Sequence, residues 1–143
     1  MEFTEREKIV EIVNKLFNYT DYQEWDKLQN EVFETNVFLD MTSLDGEASE
    51  VTSEDICNAW KEGFKDLDAV NHLAGNHVVT IKGNSAEVFA YATATHYEAS
   101  AKKGHTREFV GSYDMHLNLT DRVWRIAKLK YNLKYTSGNM LLE

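Results

Sequence analysis

Two short stretches carry residue types that together can move a proton. Tyr19-Thr20-Asp21-Tyr22-Gln23-Glu24-Trp25 holds a carboxylate among aromatic rings, and Asn71-His72-Leu73-Ala74-Gly75-Asn76-His77 holds an imidazole. A carboxylate set against one ring nitrogen fixes the tautomer and makes the other nitrogen a stronger base. Enclosed in an apolar pocket, Asp21 and His72 would form a general acid/base pair able to take a proton from carbon or oxygen near neutral pH. An aspartate ahead of a helix also serves as an N-cap, and Asp21 stands where it could do so. The two roles do not exclude each other.

The elements that must position these residues are readable in chain order. Thr4 with Glu7 forms a capping box, after which Ile9, Ile12, Val13, Leu16 and Phe17 recur on one face of a first helix. The pattern pauses at Tyr19-Thr20-Asp21 and resumes with Trp25, Leu28 and Val32 on a second, shorter helix that Thr20 or Asp21 would cap. Asn36 to Met41 reads as a short strand, followed by a polar loop with an Asp45-Gly46 turn. Thr52-Ser53-Glu54-Asp55 caps a third helix whose apolar face is Ile56, Ala59, Trp60 and Phe64, and Val51 and Ile56 stand at the positions of a hydrophobic staple.

From His72 onward the period changes to two. His72–Lys82 and Ala86–Ala99 form a hairpin across Gly83-Asn84, and Arg107–Leu119 and Val123–Tyr135 form a second across Thr120-Asp121-Arg122. Three N-terminal helices followed by four long antiparallel strands, with one short early strand, predict an α+β fold. Its curved, mostly antiparallel sheet would curl into a half-barrel with a pocket between sheet and helices. Strand alternation puts Ala74 and Asn76 on the face of His72, with Leu73, His77 and Val79 opposite. Asn76 is thereby a candidate pocket residue. His96 shares its face with Val88, Ala90, Ala92 and Ala94, small side chains that leave room beside it.

Composition bounds the partners. The chain has 143 residues, the size of one domain, read here as a single unit over 1–143. A formal charge of −9 opposes binding to nucleic acid or to an anionic membrane surface. No run is long and apolar enough to span a bilayer, and Met1-Glu2-Phe3-Thr4-Glu5-Arg6-Glu7 lacks the features of a signal peptide, so a cytoplasmic location is expected. The single cysteine, Cys57, falls in an apolar helical pattern and reads as core. Ser112 has no nucleophile-elbow context, and no Gly-rich loop precedes a helix to cradle phosphates.

The order of elements resembles the SnoaL-like branch of the nuclear transport factor 2-like superfamily, over roughly residues 4 to 135. Asp21-Tyr22-Gln23-Glu24-Trp25-Asp26-Lys27-Leu28 is similar to the Asp-x-x-x-Trp-x-x-Leu segment after the first helix of that branch. His72-Leu73-Ala74-Gly75-Asn76 is similar to the start of its first long strand. The resemblance implies a cone-shaped half-barrel, a homodimer formed through the sheet, and a small apolar or aromatic ligand. Scytalone dehydratase, bile acid 7α-dehydratase and hexachlorocyclohexane dehydrochlorinase are similar at both places, and there the aspartate and histidine act in an elimination. Carried over, Asp21 orients and His72 abstracts the proton, with no cofactor.

The same resemblance implies pocket roles for His96, Ser112 and Asp114. It sets Thr20 and Met41 where scytalone dehydratase has tyrosines, and Leu129 where the dehydrochlorinase has an arginine, with Lys128 and Lys130 pointing the other way. The substrate therefore does not transfer.

Other readings stand beside this one. His72, His96, Asp21 and Asp114 include metal-ligand types, yet none has a local spacing that converges on one face, so no metal is expected. His77 reads as structural or as part of a dimer surface, His105 as solvated and His116 as peripheral. The cone could hold a ligand without changing it, and the strand faces of Trp124 and Ile126, or Phe109 and Tyr113, could instead serve dimerisation. A cofactor-independent lyase or isomerase, a small-ligand binder and an interaction module are the three classes to be told apart.

Overall fold

A computed structural model describes residues 1–143. Helix α1 spans Glu5–Asp21 and opens with the expected reciprocal cap: Glu7 N–H donates to Thr4 Oγ1, and Thr4 N–H donates to the Glu7 carboxylate. Its buried face is Ile9, Val13, Leu16 and Phe17. A single α-turn, α2 (Trp25–Lys27), runs into a π-helical turn at Leu28–Val32. Neither Thr20 nor Asp21 caps it. The Thr20 hydroxyl donates to Leu16 O at 2.7 Å, and Asp21 is the last residue of α1. The N-cap reading of Asp21 is thus overturned, because its carboxylate is engaged elsewhere.

Strand β1 (Phe33–Asp40) begins three residues before the expected start, and β2 (Ala48–Thr52) lies where a loop was read. Helix α3 (Ser53–Phe64) follows, with Thr52 Oγ1 accepting from Asp55 N–H at 3.1 Å. Four long strands complete the chain: β3 (Ala69–Lys82), β4 (Ser85–Tyr97), β5 (Thr106–Thr120) and β6 (Val123–Gly138). The sheet runs β2-β1-β6-β5-β4-β3, antiparallel except where β1 lies parallel to β6. This is the expected α+β architecture, a curved and unclosed sheet with helices on its concave side.

The concave face is set by register. Ala90, Ala92 and Ala94 on β4 stand opposite Tyr113, Gly111 and Phe109 on β5, so all six share one face. Toward one end this face is filled by Ile9, Val13 and Leu16 of α1 packed with Val88, Met115, Leu117, Ile126 and Leu129. Trp124 and Ile126 are buried in that core, so they are not the dimer face proposed for them. Trp124 Nε1–H donates to Glu5 at 2.7 Å and ties the start of α1 to β6. Cys57 is buried, as its pattern predicts. No helix is long and apolar enough to cross a membrane.

One irregularity bears on the site. Gly75 pairs with Tyr91 and Val78 with Phe89, so Asn76 and His77 together face the single residue Ala90. This β-bulge puts Asn76 in a left-handed conformation, φ +56°. Alternation is reversed beyond it. Asn76 is exposed, whereas His77 is half-buried and Val79 packs on the core.

Candidate functional site

The C-terminal end of α1 delivers Asp21 to the open edge of the sheet. As the outermost strand, β3 has N–H groups with no strand partner on that side. Asp21 Oδ2 accepts the backbone N–H of His72 at 2.7 Å, while Oδ1 lies 2.6 Å from Nδ1 of the same residue. Both side chains are buried, each 8% exposed. A carboxylate at a helix C-terminus opposes the helix dipole, and α1 carries no basic residue in its last turn. The two bonds to His72 offset that conflict. They also require the ring proton to sit on Nδ1 in the neutral imidazole, which leaves Nε2 as an acceptor.

His72 lines a cavity of about 270 Å³ between α1, α3 and the concave face of the sheet. Twelve of its fifteen lining residues are hydrophobic, and none is Lys, Arg, Asp or Glu. The ring of His72 is stacked on Phe17 with centroids 5.3 Å apart, and Phe17 meets Tyr113 edge-on at the same separation. Burial, the neighbouring Tyr131 and the charge of Asp21 push the Tyr113 phenol far above the ordinary tyrosine range, so it stays neutral.

His96 lines the same cavity, gripped by Phe64 and Phe109 with centroids at 5.4 and 5.3 Å. Burial, then the charge of Arg107, then His72, push it down to about 4. It is therefore uncharged near neutral pH, and a protonated His96 acid is not available there. Arg107 Nε–H donates to His96 Nδ1 at 3.0 Å, and Nη1 donates to Met140 O at 3.1 Å.

Met41, Leu129 and Thr20 also line the cavity. Ser112 and Asp114 do not. Register puts Ser112 opposite Tyr91 and Asp114 opposite Phe89, on the convex face, where Asn132 Nδ2 reaches both side chains at 3.4 and 2.8 Å. The expected pocket roles of Ser112 and Asp114 are thus overturned, one residue out of phase with the true inward set. Asn76 fails for the reason given by the bulge.

The aromatic lining, above all Phe109, Tyr113 and Tyr131, was missed. The alternating run Phe109, Gly111, Tyr113, Met115, Leu117 carried the signal. Phe109 and Tyr113 face this cavity, so they too are excluded as a dimer surface.

Of the remaining histidines, His77 is pushed down by burial and by Arg6, and its Nε2 is buried without a partner. His116 lies beside Glu87 and Asn118 on the convex face, and His105 is exposed. The Cys57 thiol is pushed up to about 11 by burial, then by Asp26, so it stays protonated. No three His, Cys, Asp or Glu side chains gather in a metal-binding arrangement.

Known structures share this architecture. The Kfla4162 protein of Kribbella flavida superposes with a TM-score of 0.90 at 26% identity, covering 96% of this chain and 95% of that one. A provisionally named scytalone dehydratase of Novosphingobium aromaticivorans gives 0.79 at 12% identity, with 93% and 86% covered. The hexachlorocyclohexane dehydrochlorinase LinA-type3 of Novosphingobium barchaimii gives 0.72 at 12%, with 92% and 88% covered. At such identities the last two establish a shared fold. No curated protein matches the sequence. The SnoaL-like domain profile matches residues 1–130, and the chain accordingly belongs to the SnoaL-like family of the nuclear transport factor 2-like superfamily.

Proposed function

We propose that this protein binds an uncharged, largely apolar organic molecule and that His72, oriented by Asp21, removes a proton from one of its carbons. The observation that carries the reading is the double engagement of Asp21 with His72, which leaves Nε2 as a free acceptor in an apolar cavity. The C–H proton passes to Nε2, and Asp21 stabilises the imidazolium formed. The electron pair left on carbon either forms a double bond as hydroxide or halide departs from the neighbouring carbon, or is reprotonated at another position. The first outcome is a lyase reaction of dehydratase type, the second an isomerisation. The deprotonation needs only these two side chains.

The test is incorporation of solvent deuterium, with elimination followed in parallel, into a panel of neutral cyclic aryl ketones and β-hydroxyketones. Exchange by the wild type that falls about 10²–10⁴-fold in His72→Gln and Asp21→Asn supports the proposal. Saturable binding of panel members without exchange would overturn it. That result would favour a ligand-binding protein, a reading to which the apolar Met41 and Leu129 lend weight.

We also infer that self-association uses the convex face, where Leu73, Tyr91 and Tyr135 are exposed. Sedimentation at micromolar concentration would show a dimer that Tyr135→Glu weakens. A monomer at all concentrations would contradict it.

A further inference from the structure

We propose that Arg107 is a positioning residue that holds His96 as its neutral Nε2–H tautomer, making His96 the cavity's hydrogen-bond donor to a ligand oxygen. This rests on the reading of His72 as the proton acceptor, and it gives the two histidines opposite tasks. A guanidinium has donors only, and it keeps its charge at any pH the protein meets. Its Nε–H points at His96 Nδ1 across 3.0 Å, so Nδ1 must present a lone pair and the single ring proton must reside on Nε2. Protonating Nδ1 as well would set a second cation and an opposing N–H against Arg107.

The arrangement of Arg107 fits this task. It stands opposite His96 in the β4–β5 register and opposite Gly138 in the β5–β6 register, so the pleat aims both side chains to one side. While Nε holds the imidazole, Nη1 donates to Met140 O at 3.1 Å, and the cation lies 5.9 Å from the centre of Phe109. No carboxylate forms an ion pair with it. The planar fork therefore reaches a ring nitrogen and a main-chain carbonyl at once, and of the two a lysine ammonium would need only the ring nitrogen to fix the tautomer. The charged and titratable groups acting on His96 are Arg107 from β5 and His72 from β3, while α3 contributes only the Phe64 ring.

Two imidazoles of opposite tautomer then line one apolar cavity. His72 offers a lone pair at Nε2, fixed by the Asp21 carboxylate that accepts from Nδ1–H, and His96 offers N–H at Nε2, fixed by the Arg107 guanidinium that donates to Nδ1. A neutral donor that needs no proton transfer is suited to a carbonyl oxygen gathering negative charge as an enolate forms. The ligand class follows: an uncharged ketone whose carbonyl oxygen meets His96 and whose adjacent C–H meets His72.

The experiment is nitrogen-15 NMR of the histidine rings in the full chain without ligand, with His96 assigned by its loss in His96→Gln. The wild type is expected to show His96 with Nε2 protonated and Nδ1 bare. In Arg107→Met the ring should become a tautomer mixture whose titration midpoint rises toward the ordinary 6.5, whereas Arg107→Lys should keep Nε2 protonated in most molecules. A wild-type His96 protonated at Nδ1, or an Arg107→Met spectrum and titration identical to the wild type, overturns the proposal. Should Arg107→Met fail to fold, the wild-type tautomer and the Arg107→Lys titration decide. In deuterium exchange, Arg107→Met is expected to lose roughly 10–100-fold in rate. A correct tautomer without turnover sinks the catalytic reading alone, and turnover with His96 protonated at Nδ1 sinks this inference alone.

Discussion

Asp21 binds two atoms of one residue: its carboxylate takes the backbone N–H of His72 at 2.7 Å and approaches the ring Nδ1 of His72 at 2.6 Å. The same group thus closes a sheet edge and orients a side chain. Asparagine and alanine at position 21 separate these jobs. Asp21→Asn keeps an oxygen for one of the two donors and turns an N–H₂ toward the other site, which favours the reversed ring tautomer. Nitrogen-15 NMR should show His72 protonated at Nε2. Asp21→Ala should in addition cost about 1–3 kcal/mol in urea unfolding, because a buried N–H loses its partner.

Stability should fall with acid through His96. The folded state holds this ring down to about 4, whereas the unfolded chain binds a proton near 6.5. Between these values the unfolded state carries more protons, so stability is full above about pH 6.5 and is lost as pH falls toward 4. The loss specific to His96 is about 2–3 kcal/mol. Denaturant unfolding at pH 7 and pH 4.5 should show a smaller drop in His96→Gln than in the wild type. His77 shifts in the same direction but is common to both proteins, so the difference isolates His96.

Gly111 is needed because β5 and β6 approach too closely there for a side chain. A Cβ at this position would stand 2.2 Å from Asn132 O and 2.7 Å from the Tyr131 hydroxyl. The first obstacle is backbone and cannot swing aside. Gly111→Ala should therefore destabilise the fold by about 1–3 kcal/mol and shift the Tyr131 ring in the cavity wall, read as a lower urea midpoint and weaker ligand binding.

Tyr131 offers the opposite case. Its hydroxyl is buried with no partner, a group whose desolvation is uncompensated. Tyr131→Phe keeps the ring and removes that cost. Unfolding free energy should stay level or rise by up to about 1 kcal/mol, and a loss above that would mean the hydroxyl is satisfied in solution.

Legibility in the sequence followed the range of the forces involved. The caps at Thr4 and Thr52 and the hairpin turn at Gly83, φ +61°, depend on neighbours in the chain and were readable. Strand β2 was not, because it is short, with three of its five side chains polar and three exposed, so its state depends on pairing with β1. Asp21 shows the same limit from the other side. Its local preference was to cap a helix, and a partner distant in the chain outcompeted that preference.

The pairing of Asp21 with His72 was anticipated through resemblance, and their side chains do meet, while their chemical role is a matter for the experiments above. Ser112 and Asp114 were carried over from a distant relative against the apolar alternation of their own strand, which pointed inward at Phe109, Gly111 and Tyr113. Arg107 escaped notice because nothing in its local pattern distinguishes a surface arginine from one gripping an imidazole.

The extra residue in β3 divides that strand into two segments whose side-chain phases are independent. Before it, His72 faces the cavity and Ala74 packs on the core; after it, Val79 faces the core although a regular strand would turn it outward. Excising Asn76 would restore a single phase and force one segment to expose what it now buries. Because the bulge sets that offset, a one-residue deletion between His72 and Val79 turns one of the two segments inside out, whereas a substitution leaves both phases as they are.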